Sequence, residues 1–160
     1  MINDEARVWI YQSNRVFNTE ELDSLHQILN NFTQSWTAHN QQLKADFEIK
    51  YNRFIILIVD EHQSGASGCS IDKSVHLMQE IEKQFHVNLF DRFHIAWKEN
   101  ESVNSGSRDE FEHQIKNGNI NHETIVFNNL VSNYAQSKNN WEIPFKDSWH
   151  AKVFKLESVL

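Results

Sequence analysis

Residues 54–59 are apolar at every position, whereas Leu43, Ala45, Phe47, Ile49 and Tyr51 just before them alternate strictly with Lys44, Asp46, Glu48 and Lys50. Successive side chains of a strand point to opposite faces, so the alternating run describes a strand with one face in water and the continuous run a strand covered on both. Joined through Tyr51, Asn52 and Arg53, the two read as a hairpin with an outer and an inner member. A fold for this chain must bury both faces of 54–59.

The flanking segments supply the layers. Arg7 to Tyr11 is a short β-branched and aromatic strand. Asn18, with Glu21 three residues on, forms a capping-box pattern, and Leu22, Leu25, Leu29, Phe32 and Trp36 then recur on one helical face. A second helix over about 70–85 places Ile71, Val75, Met78, Ile81 and Phe85 inward, and Phe93, Ile95 and Trp97 alternate with His94 and Ala96 in a fourth strand. This order predicts an α+β fold with a ferredoxin-like βαββαβ core, an antiparallel sheet carrying two helices on one face. Its first and third strands are expected in the centre and its second and fourth at the edges. The C-terminal third predicts a helix over 108–116, a turn at Asn117, Gly118 and Asn119, and a strand over 124–127. Its aromatic end, with Trp141, Phe145 and Trp149, is expected to pack. The chain is read as a single domain over 1–160, with the ferredoxin-like core in 1–99 and a C-terminal α/β extension in 100–160 that covers the other face of the sheet or an edge.

Composition narrows the classes of function. The chain has 160 residues, enough for one domain with a substantial core, and a single proline. A formal net charge of -7 without any Lys/Arg run argues against binding nucleic acid through its phosphates. No apolar run approaches the ~20 residues that cross a bilayer, so no membrane insertion is expected. The acidic start, with Asp4 and Glu5, is unlike a signal peptide, which predicts a cytoplasmic location. One cysteine excludes an internal disulfide and a multi-cysteine zinc module. The nine histidines are dispersed, and no pair has the metalloprotease i, i+4 spacing. Neither a metal nor a cofactor is expected.

The chemistry-bearing residues gather in 60–70, which holds Gly65, Gly68 and the only cysteine, Cys69, between a strand and a helix. Glycines let such a loop turn its N–H groups toward a ligand, and the helix start adds positive partial charge. The ferredoxin-like topology would bring Trp36 and His39 to the same end of the sheet. Trp36, Ser67, Gly68 and Ser70 are therefore the candidate ligand-binding residues, in a cytoplasmic domain that binds a small ligand or a protein partner through the glycine-rich loop 64–70. The alternative is a thiol-dependent enzyme with Cys69 as nucleophile and His39 or His62 as base. A tight turn followed by a serine helix cap would use the same residues with no ligand at all. Asp147, Ser148 and His150 lack a nucleophile-elbow sequence and are too close in the chain to face one another as a triad.

Two resemblances extend beyond these patterns. Gln12-Ser13-Asn14-Arg15, Tyr51-Asn52-Arg53-Phe54, Gly65-Ala66-Ser67-Gly68-Cys69-Ser70, Phe127-Asn128-Asn129-Leu130 and Asp147-Ser148-Trp149-His150 together resemble an uncharacterised bacterial family of similar length often labelled "ABC transporter ATPase". That label implies ATP hydrolysis, but a P-loop requires G-x-x-x-x-G-K-[ST], and no glycine of this chain is followed by lysine. P-loop ATPase activity is therefore not expected. Locally, Trp97, Ser107-Arg108-Asp109-Glu110-Phe111, Asn117-Gly118-Asn119 and Thr124-Ile125-Val126-Phe127 are similar to GYF-like domains, which bind proline-rich peptides. The glycine-proline signature of that peptide surface is missing here.

Overall fold

In a computed structural model of the chain, which describes residues 2–154, the elements begin with β1 (Arg7–Gln12), α1 (Thr19–Ser35), β2 (Thr37–Ala38), β3 (Gln41–Gln42), β4 (Lys44–Lys50), β5 (Phe54–Asp60) and α2 (Gly68–Phe85). They continue with β6 (Ile95–Glu99), β7 (Ser102–Gly106), α3 (Arg108–Lys116), β8 (Ile125–Phe127), α4 (Tyr134–Asn139), β9 (Glu142–Pro144) and α5 (His150–Val153). Every strand pair is antiparallel, so the class is α+β. Contacts group the chain into two units: Met1–Phe90 with Val131–Ser137, and Asp91–Leu130 with Lys138–Leu160.

In the first unit the continuous apolar run takes the middle of a sheet ordered β1-β5-β4. The register sets Trp9, Leu57 and Phe47 side by side, and Tyr11, Ile55 and Ile49 beside them. On this face Ile55, Leu57 and Val59 share one buried cluster with Leu25 and Leu29 of α1 and with Met78, Ile81 and Phe85 of α2. Both helices thus cover the same face. The alternate residues Phe54, Ile56 and Ile58 are no more than 2% exposed, so both faces of the strand are out of water as its composition requires. Tyr51 and Asn52 turn the hairpin with left-handed φ values of 52° and 54°.

The fourth place in this sheet departs from the ferredoxin-like expectation. β6 is not a strand of this sheet; it pairs with β7 and β8 in a second sheet ordered β7-β6-β8-β9. The outer edge of β1 instead meets the returning segment Val131–Ser137. Val8 N–H donates to Ser132 O at 3.0 Å, Arg7 bridges Asn133, and Tyr134 N–H donates to Ala6 O at 2.8 Å. The physical reason is that both edges of β6 are already taken: β7 pairs with one through a tight return of only Asn100 and Glu101, with Asn100 at φ 57°, and β8 pairs with the other.

Helix α1 starts as its sequence predicts. Asn18 Oδ1 accepts the Glu21 N–H at 2.8 Å, and Glu21 Oε1 accepts the Asn18 N–H at 2.9 Å. Helix α2 is rotated in its first half relative to the expected face: Ser70 and Ser74 are buried, while Ile71 and Val75 are only partly so. The serine hydroxyls can be buried because each bonds a nearby carbonyl, Ser70 to Ser67 O at 2.8 Å and Ser74 to Ile71 O at 2.6 Å.

In the second unit Ile95 and Trp97 of β6, Phe111 of α3, Val126 of β8, Phe145 and Phe154 form one core. Phe111 is its hub, with Trp97 at 5.7 Å and Phe154 at 4.9 Å between ring centroids, both edge-on. The aromatic C-terminal stretch packs as expected, with Trp141 and Phe145 buried.

Candidate functional site

The loop between β5 and α2 spends most of its polar groups on itself. Asp60 Oδ1 accepts the His62 N–H at 3.1 Å and lies 2.7 Å from His62 Nδ1. The His62 backbone N–H, its imidazole and Lys44 hold the Asp60 carboxyl below the usual carboxylate range. Glu61 folds back so that its Oε2 accepts the Ala66 N–H at 2.8 Å. A Cβ on Gly65 would lie 3.1 Å from that same oxygen, so the glycine gives the carboxylate room to approach. At the helix start Ser67 is the N-cap: its Oγ accepts the Ser70 N–H at 3.1 Å, and Ser70 Oγ accepts the Ser67 N–H at 2.7 Å. Glu61 and the two serines thus occupy donors that an anion would otherwise use.

The other candidate residues fall on both sides of expectation. Trp36, 2% exposed, reaches the loop directly, because its indole N–H donates to Ser70 O at 2.8 Å. Gly68 begins α2 with open space where a side chain would stand. Cys69 is exposed in the first turn of α2. His39 sits at the exposed tip of the two-residue β2–β3 hairpin, where it and Asn40 adopt φ 51° and 62°. Among the described residues no hydrogen bond joins His39 or His62 to Cys69, and no three His, Cys, Asp or Glu side chains are grouped to hold a metal ion.

Beside the loop lies a groove of about 340 Å3, lined from α1 by Phe32 and Ser35, then by Trp36 and Thr37, and from α2 by Lys73, His76, Leu77 and Glu80. Phe32 and Trp36, with centroids 4.9 Å apart, make its apolar floor with Leu77. His76 Nε2 lies 3.6 Å from Glu80 Oε1 on the rim. Its volume falls at the lower end of ligand pockets, about 300–1,000 Å3. Trp36 is the only lining residue singled out from sequence as a site residue. Lys73, His76, Leu77 and Glu80 were readable as an i, i+3, i+4, i+7 stripe adjoining the buried face of α2.

No family model, curated protein or solved structure matches the chain.

Proposed function

We propose that the first unit is a non-catalytic binding module whose small ligand seats in the groove between α1 and α2, against Trp36 and next to the glycine-containing loop. The observation that carries this reading is the pairing of an apolar floor of Phe32, Trp36 and Leu77 with a polar rim of Thr37, Lys73, His76 and Glu80 in one void. Such a mixture supplies apolar affinity and polar orientation together. The loop's role is to position Trp36 through the Ser70 carbonyl rather than to cradle an anion, since Glu61, Ser67 and Ser70 engage its N–H groups.

A fragment screen read by amide and indole NMR shifts tests the proposal. Hits are expected to move the Trp36 indole and Leu77 signals, and Ser35→Trp, an exposed substitution at the groove mouth, is expected to abolish those shifts while the protein stays folded. Hits that persist unchanged in that variant overturn it. The competing thiol-enzyme reading, with His39 or His62 as base, has one observation in its favour, the exposure of Cys69. Native Cys69 is expected to react with iodoacetamide without denaturant. Cys69→Ser is expected to leave fragment binding within about twofold, because Cys69 does not line the groove.

A further inference from the structure

The geometry points to an amphipathic monocarboxylate, an aryl or short acyl body ending in one carboxylate, as the class of ligand this groove takes. The inference rests on the groove being the binding site and adds the chemistry of its occupant. Three charged or titratable side chains line the void, Lys73, His76 and Glu80. Two of them face each other, His76 Nε2 to Glu80 Oε1 at 3.6 Å. Lys73 has no ionic or hydrogen-bonding partner among the described residues, which leaves a positive charge beside an apolar floor.

The hydroxyls add direction. Ser35 donates to Asn31 O at 2.9 Å, so its proton is committed, while the Thr37 hydroxyl has no such bond among the described residues. Thr37 and Lys73 therefore both offer open side-chain donors in the lining, and a carboxylate accepts from two donors at once. The overall charge of -7 does not oppose this at the Lys73 end, because charges more than about 10 Å away are largely screened at 0.1 M salt, and Glu80, the carboxylate of the lining, stands seven residues and about 10 Å of helix rise further along α2. The size of the void suits a body on the order of a dozen non-hydrogen atoms.

The test compares 4-phenylbutyrate with its amide and with 4-phenylbutylamine, each titrated into the full chain while the Trp36 indole and Leu77 amide signals are followed. The carboxylate is expected to bind about fivefold more tightly than the amide, and the amine most weakly. Lys73→Gln, an exposed helix position, is expected to erase the preference for carboxylate over amide, and Lys73→Arg to retain it. Raising the salt to about 0.5 M, where the screening length is roughly 4 Å, is expected to weaken the carboxylate alone. If the amide or amine binds as tightly as the carboxylate at these signals, the carboxylate inference fails and the groove reading stands. If none of the three moves them, the groove reading itself fails. Closure of the groove in a concentration-dependent dimer, seen by sedimentation, would also overturn the inference.

Discussion

Trp36 ties the groove to the loop, because its ring floors the void and its N–H holds the first turn of α2 through Ser70 O. Trp36→Phe keeps an aromatic floor but removes that donor, and a loss of about 1 kcal/mol in urea unfolding is expected; an unchanged midpoint would mean the bond contributes nothing. Two other residues set an acid response. Glu21 is held at about 2 by the Arg15 guanidinium, with the Asn18 N–H adding to it. Its folded form binds fewer protons than the unfolded chain, so this contribution is full above pH 4.5 and is lost as pH falls toward about 2. Glu21→Gln is expected to flatten the stability profile in that range. His150, 2% exposed and stacked on Trp149 at 3.8 Å, is pushed down to about 4 by burial. Unfolding frees it to protonate, so stability is expected to fall by up to about 3 kcal/mol as pH drops from 6.5 to about 4. Denaturant titrations of His150→Gln should lack this higher window and retain the Glu21 one.

At the scale of elements, α2 carries the most consequential detail. Gly68 occupies its first position with nothing within 4 Å of where a Cβ would stand, so Gly68→Ala is expected to stabilise by about 0.5 kcal/mol in thermal unfolding. A loss of stability there would indicate that the loop needs glycine's freedom. The patterns that place α1, β4 and β5 were legible because each follows from which faces are covered, one face of α1 and of β4 and both faces of β5. The burial of Ser70 and Ser74 was not legible, since it depends on hydroxyl bonds to Ser67 O and Ile71 O and on Trp36 approaching the same turn. Likewise β6 reads the same in sequence whether it joins β1 or β7. Only Asn100 at a left-handed position marks the tight return that decides it. The groove was hidden in the sequence for a related reason: Lys73 and His76 look like ordinary exposed helix residues until the end of α1 is set beside them.

At the scale of the whole molecule, the first unit is not continuous in sequence. It takes Met1–Phe90 and then recovers Val131–Ser137, whose backbone meets β1 through Ser132 and Asn133 and the residues just before β1, Ala6 and Asp4, through Tyr134 and Ala135. A fragment ending at residue 90 is therefore expected to be less stable in urea than the same unit in the full chain, and faster hydrogen exchange at Val8 would report the missing partner. Equal exchange at Val8 would show that Val131–Ser137 adds no protection. During synthesis the same arrangement imposes a delay. At about 5–20 residues per second, the ribosome needs several seconds to make residues 91–130 before the strip that meets β1 can arrive. Throughout that interval the nascent sheet presents an open edge, a surface on which a neighbouring chain or a chaperone could pair first.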